Sequence, residues 1–377
     1  MVDEFCKQRV ACSNGYKFFF SSTSGKIWAL DPDDNITLAY TTVPTSGGAG
    51  CLGAIEYNGY IIWATENKLH RIAVANADDN WAGAEPNWQT FAVGDDTYHP
   101  MAIQGSLEGR ELFIGDSYQI ASVNLDNEFN NAALSTIETQ HRISCMVDYE
   151  GDILFGTIVD GSVSKSAIGR WDTVSTTVTG WDTIEEEGVN ALIRDDNYVI
   201  ANVGKAGNFY YFNGEKLEQY KRIPGDFSNT ATGIVHAGSV ASFNGFPIFG
   251  FSNVSGNPAK QGIYSFGNYS RDYEKSLTLD WIISENLTSN IEVGAILVVD
   301  GLIYTAWKNG GVFGIDRLDM DNKYTGAYFT TRMLFRQARH MMKTLKEVAA
   351  YYRSLPSNTG LTFSYRINNG SFVAMTS

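Results

Sequence analysis

The sequence predicts an all-β protein: a seven-bladed β-propeller followed by a partial C-terminal β-sandwich of three antiparallel strands. Three observations carry this. One hairpin unit recurs seven times along the chain, its marks lie 42 to 56 residues apart, and no stretch inside the repeats has the 3.6-residue period of a helix. Three or four short strands in a unit of that size match a propeller blade.

Each unit opens with an apolar strand and a tight turn. The turns are Ser13-Asn14-Gly15-Tyr16, Tyr57-Asn58-Gly59-Tyr60, Leu107-Glu108-Gly109-Arg110, Tyr149-Glu150-Gly151-Asp152, Asp195-Asp196-Asn197-Tyr198, Phe243-Asn244-Gly245-Phe246 and Val299-Asp300-Gly301-Leu302. Asn-Gly and Asp-Gly suit the type I′ turn, whose twist matches the strands it joins. A second strand follows, such as Ile61-Ile62-Trp63-Ala64 or Ile153-Leu154-Phe155-Gly156, and its closing small residue is expected to let blades pack closely. The third strand alternates apolar with polar or small residues, as in Lys26–Asp31 and Gly262–Phe266. The fourth is weakly marked, clearest at Thr90-Phe91-Ala92-Val93 and Ser276–Trp281.

These marks divide residues 1–335 into blades at about 9–50, 51–100, 101–142, 143–187, 188–233, 234–290 and 291–335, with a separate module at 336–377. Ring closure is left open between Tyr328–Leu334, residues 2–8, or neither, as the last outer strand. In the tail, residues 343–352 scan as helix or strand. The alternation of Leu361–Ile367 and the hairpin turn Asn368-Asn369-Gly370 decide for strands. Three strands with one open face barely stand alone, so the chain is expected to continue past Ser377 or to have that face covered.

The formal net charge is −14, from 42 acidic against 28 basic residues, which argues against nucleic acid as a partner. Arg332, Arg336, Arg339, Lys343 and Lys346 form the one basic cluster. Neither a signal-peptide pattern nor an apolar run of about 20 residues occurs, so a soluble protein with no membrane insertion is expected. Cys51 and Cys145 read as small core residues, Cys6 and Cys12 lie close in sequence, and the absence of C-x-x-C speaks against zinc.

The chain resembles the propeller-plus-sandwich proteins of tailed-bacteriophage virions, found among tail and baseplate components. The resemblance rests on Gly262-Ile263-Tyr264-Ser265-Phe266-Gly267 with Tyr273–Leu277 and Trp281–Ser284. It rests also on Thr330-Thr331, Lys343, Tyr351-Tyr352-Arg353-Ser354-Leu355-Pro356 and the Phe363–Gly370 hairpin. It implies a non-enzymatic structural or attachment part of a virion, assembled in the host cytoplasm. The implied partners are other virion proteins in several symmetric copies, and a host surface glycan or receptor.

No residue set is read as catalytic, and no cofactor or metal is expected. Sialidase-type Ser-x-Asp-x-Gly-x-Thr-Trp turns are missing, and Ser24–Asp31 resembles a quinoprotein blade signature in a single copy. Trp171-Asp172 and Trp181-Asp182 are read as adjacent strands of one blade. His70, His99, His141, His236 and His340 are scattered, with His236 on an innermost strand facing the channel. Asp31–Asn35 and Asp316–Asn322 place oxygens at short spacing, as hard cations like, but lack the EF-hand glycine and glutamate. Residues 76–100 are the longest insertion. Their Trp81, Trp88 and Tyr98 are the candidate partner or glycan contacts, although pinning of the loop to its own blade is the favoured reading. A carbohydrate-binding or carbohydrate-cleaving propeller is the second reading of function.

Overall fold

A computed structural model describes residues 2–42, 50–106, 109–135, 137–162, 164–196, 198–214, 216–222, 233–252, 261–268, 275–283, 291–319, 360–365 and 370–375. The chain divides into two compact units, Met1–Met320 and Asp321–Ser377.

The first unit is a seven-bladed β-propeller in which each blade is an antiparallel sheet whose strands run outward in sequence order. Blade 1 holds β1 (Cys6–Ala11), β2 (Lys17–Ser21), β3 (Lys26–Leu30) and β4 (Ile36–Thr41). Blade 2 holds β5 (Gly53–Tyr57), β6 (Tyr60–Thr65), β7 (Lys68–Ala73) and β8 (Glu85–Thr90), with a 3-10 turn at Val74–Asn76. Blade 3 holds β9 (Met101–Ser106), β10 (Gly109–Asp116), β11 (Gln119–Val123) and β12 (Phe129–Leu134). Blade 4 holds β13 (His141–Tyr149), β14 (Asp152–Val159), β15 (Ser166–Trp171) and β16 (Gly180–Ile184). Blade 5 holds β17 (Val189–Asp195), β18 (Tyr198–Val203), β19 (Asn208–Phe212) and β20 (Leu217–Arg222). Blade 6 holds β21 (Ile234–Phe243), β22 (Phe246–Ser252), β23 (Gly262–Gly267) and β24 (Ser276–Trp281). Blade 7 shows β25 (Ile291–Val299), β26 (Leu302–Asn309) and β27 (Val312–Arg317).

The first turns follow the sequence signal. At Asn58-Gly59, Glu150-Gly151, Asn244-Gly245 and Asp300-Gly301 both residues have positive φ, which defines the type I′ hairpin. Trp171 and Trp181 fall on the paired strands β15 and β16, as the spacing indicated. The outer strand of blade 2 differs from expectation. It is Glu85–Thr90, and Phe91 leaves the sheet to stack on His99 with ring centroids 4.2 Å apart.

Packing between blades follows from the two-residue period of a strand, which sends neighbouring side chains to opposite faces. Phe18 and Phe20 meet Ile61 and Trp63 of blade 2, while Phe19 between them meets Leu297 and Tyr304 of blade 7. Ile62 and Ala64 face Leu112 and Ile114, Phe113 faces Ile153 and Phe155, and Leu154 faces Val199 and Ala201. Ile200 and Phe209 face Phe249 and Phe251, and Ile248 faces Ile296 and Ile303. Seven clusters thus fill seven interfaces, and each fully buried Phe or Ile contributes roughly 1.5–3 kcal/mol.

The last cluster closes the ring between blades 7 and 1. Residues 2–8 are not the outer strand of blade 7: Val2 packs into this closing core, and Cys6–Ala11 is the innermost strand of blade 1. Tyr328–Leu334 and the basic cluster at 332–346 lie outside the described residues.

In the second unit, β28 (Ser364–Tyr365) and β29 (Val373–Ala374) pair antiparallel in a small sheet. The first strand expected in the tail, within 343–352, lies outside the described residues.

Candidate ligand site at the central channel

Five of the seven innermost strands share one irregularity. Their register with the second strand slips between Cys6 and Gln8, Ile143 and Cys145, Val189 and Ala191, Val235 and Val240, and Val293 and Ala295. A bulge leaves its extra residue outside the ladder and turns it toward new surroundings. Lys7, Ser144, Asn190 and His236 sit in four of these bulges, and all four line a cavity of about 840 Å³ along the ring axis. Tyr98 and Arg9 line it as well.

Small residues on the second strands accommodate the bulges, as their position implied. A Cβ at Gly156 would lie 2.4 Å from Val189 Cγ1, and one at Gly250 would lie 2.3 Å from Val293 Cγ1. Val189 and Val293, each just before a bulge, therefore fill the space that a glycine of the preceding blade leaves open.

The bulge side chains fall into two groups. Ser144 Oγ donates to Val189 O at 2.5 Å and lies 3.2 Å from Gly156 O, and the Asn190 amide donates to Gly204 O at 2.7 Å and Asn202 Oδ1 at 3.1 Å. These two hold the frame. Lys7 and His236 instead meet around Phe5, whose ring lies 5.8 Å from Lys7 Nζ, 5.0 Å from Lys308 Nζ and 5.9 Å from the His236 ring. Lys308 Nζ pairs with Glu292 Oε1 at 2.8 Å, and His236 Nε2 stands 3.8 Å from Glu292 Oε2. His236 and then Lys308 hold the Glu292 carboxyl down to about 2, while burial pulls His236 and Lys7 below their ordinary values.

Arg9 reaches across the innermost strands of two blades. Its Nε donates to Ile296 O at 2.7 Å and its terminal nitrogen to Val240 O at 2.9 Å, and burial pulls the guanidinium down to about 10. Across the channel the charges are reversed. Arg142 lies within 3.2–3.6 Å of Asp95, Asp96 and Asp160, and 5.6 Å from the Tyr98 ring. Burial pushes the Asp95 carboxyl up, although the Thr97 and Tyr98 amides donate to its Oδ1 at 2.8 and 2.9 Å.

The three aromatic residues singled out in the sequence are not brought together. Trp81 is buried between blades 1 and 2 against Phe18, Phe20, Tyr40 and Trp63, so it pins its loop to the core and offers no free indole face. Trp88 is half-buried beneath Arg71, which lies 4.2 Å from its ring and pairs with Glu85. Only Tyr98 reaches the channel. The acidic loop at Asp31–Asn35 is satisfied from within: Asp31 Oδ1 accepts the amides of Asp33 and Asn35, and Asp34 bonds Lys17, Tyr304 and Arg317. Residues 320–322 of the second acidic run, and His340, lie outside the described residues.

Lys7 and Arg9 escaped sequence reasoning. The signal available was two cations within the innermost strand of an acidic protein, but the bulge shifts the alternation that shows which way each points.

No protein-family model matches the chain, and no curated protein matches it in sequence. In structure it is similar to the extracellular domain of a protein assigned as a hybrid two component system from B. thetaiotaomicron, with a TM-score of 0.56 and 14% identity. That match covers 85% of this chain and 39% of the other, so the chain spans about two-fifths of that domain's length. It is also similar to the Cps50 (Swd1) β-propeller domain of Myceliophteria thermophila, at TM-score 0.55 and 11% identity, covering 85% and 99% of the two chains. A third is virginiamycin B lyase from Staphylococcus aureus, at 0.51 and 13%, covering 81% and 92%. The likeness is one of fold. One of the three is an enzyme by name and none is a virion protein by name, so the fold assigns no activity.

Proposed function

We propose that this chain is a non-enzymatic recognition and assembly module, its propeller a rigid platform for protein contacts in a phage-like virion. The observation that supports this most is how His70, His99, His141, Ser144 and Cys145 are used. His70 accepts the Asn87 amide on Nδ1 at 3.0 Å, so its Nε2 donates to Thr65 Oγ1 at 2.9 Å. Both His99 nitrogens face carbonyl oxygens, and His141 Nδ1 bonds Thr157 Oγ1. Ser144 Oγ donates to Val189 O, and burial pushes the Cys145 thiol up to about 12. A nucleophile needs an adjacent base or a lowered pKa, and these groups are tied into the frame instead. The virion assignment draws on the sequence resemblance. Cryo-electron microscopy of intact particles carrying this gene tests it: symmetric copies of a seven-bladed ring are expected, and particles without that density overturn it.

A carbohydrate-binding or carbohydrate-cleaving propeller is the second reading, favoured by a cavity of ligand size on the ring axis that is lined by both apolar and polar residues. A glycan array with a depolymerisation assay separates the two. Release of reducing ends that is lost on changing channel residues would favour the second reading.

A further inference from the structure

We propose that the central channel is a binding site for a small molecule bearing an oxyanion, a carboxylate or phosphate seated between Lys7 and Arg9. The charge pattern of the lining carries this. The chain is strongly acidic overall, yet each acidic group on the cavity wall is already engaged. Glu187 pairs with Lys205 at 2.5 Å, Asp96 with Arg142 at 3.2 Å, and Glu56 accepts the Ser13 amide at 2.7 Å. Lys7 and Arg9 line the same cavity without such a partner. Among the described residues no carboxylate stands within ion-pair distance of either.

A guanidinium carries five N–H donors. Arg9 uses two on Ile296 O and Val240 O, which leaves three without a protein acceptor among the described residues. Arg9 is half-buried, and a guanidinium held in a channel wall without a counter-charge attracts an anion. Here the pairing is incomplete at a place with room for a ligand. Carbonyl oxygens on one edge orient the fork and leave its other edge for a bidentate anion.

Lys7 reaches the cavity by a separate device, the bulge at the start of β1. Its charged and titratable neighbours are Glu292, Lys308 and His236. Glu292 pairs with Lys308, and no ion pair joins it to Lys7 among the described residues. Thr97 and Tyr98 are among the polar residues on the rest of the wall, beside apolar ones such as Leu52 and Met101. Such a site is compatible with either reading of the function, and its test is separate from theirs.

Titration calorimetry of the full chain at low ionic strength, with inorganic phosphate, D-glucuronate and neutral D-glucose as probes, decides it. One anion or both are expected to bind saturably at one equivalent per chain, with glucose silent; which anion binds identifies the group. Lys7→Gln is expected to weaken binding about tenfold, the loss of one charge-assisted hydrogen bond. Glu292→Gln is expected to tighten it several-fold by removing the carboxylate that screens Lys7, while both variants keep the wild-type circular dichroism. Failure of both anions to bind, equal binding of glucose, or wild-type affinity in Lys7→Gln would each overturn the proposal.

Discussion

At the scale of single residues, burial decides what a polar side chain can do. His70 shows this in its pH dependence. Burial pulls it from 6.5 to about 4, so the unfolded chain binds the proton more readily than the folded one. Its contribution is complete above pH 6.5 and lost as pH falls toward 4. A loss on the order of 3 kcal/mol across that window is expected from a shift of this size. Urea denaturation at a series of pH values checks it, and His70→Leu should flatten that part of the profile. Glu292 acts in a lower window, its contribution present above 4.5 and lost as pH falls toward 2. Trp81 was legible as important. Its context among Asp, Asn and Gly favours a loop pinned to the core over a partner contact, and the aromatic cluster around Trp81 is that pin.

At the scale of elements, the bulge and the small residue opposite it form a repeated joint between blades. Gly156→Ala would press a Cβ to 2.4 Å from Val189 Cγ1 and 2.7 Å from Cys145 Sγ, so it should destabilise the ring by about 1–3 kcal/mol. Adding Val189→Ala should recover part of that loss. Equal, independent losses in a double-mutant denaturation cycle would show that the two positions do not meet. The Asn58-Gly59 hairpin offers a contrasting case. Gly59 has φ +77 and open space around it, so Gly59→Ala should cost about 1 kcal/mol through backbone strain alone. The outer strand of blade 2 was misplaced by five residues because Thr90–Val93 has strand composition. Its Phe91 gains more by stacking on His99 inside the interface than by extending an exposed edge.

At the scale of the whole molecule, the ring holds by apolar surfaces that meet in a circle, with a polar latch where its ends join. Asp34 of blade 1 accepts from Lys17 (2.9 Å), Tyr304 (2.9 Å) and Arg317 (2.7 Å), the last two from blade 7. Lys17 is nearly buried and lies 4.9 Å from the Tyr304 ring, so removing Asp34 strands a cation in the closing interface. Asp34→Ala is expected to destabilise the propeller by about 2–4 kcal/mol. Lys17→Met in the same chain should restore part of the loss, as read by thermal denaturation. Independent, additive losses would show that the latch does not act as a unit.

The sequence by itself determined the number of blades, the place of each first hairpin and the inner three strands of every blade. Turn chemistry and a two-residue apolar period act over a few neighbours, so they are written locally. It also placed small residues on the second strands for close packing and His236 on an innermost strand, while the structure puts His236 at the channel. Only the tertiary structure decided that Cys6–Ala11 begins the ring, that Trp81 packs against Phe18, Phe20, Tyr40 and Trp63, and that Lys7 and Arg9 line the same channel. Those outcomes depend on which strands from distant parts of the chain become neighbours, and on bulges that redirect a side chain without changing the pattern of residues around it.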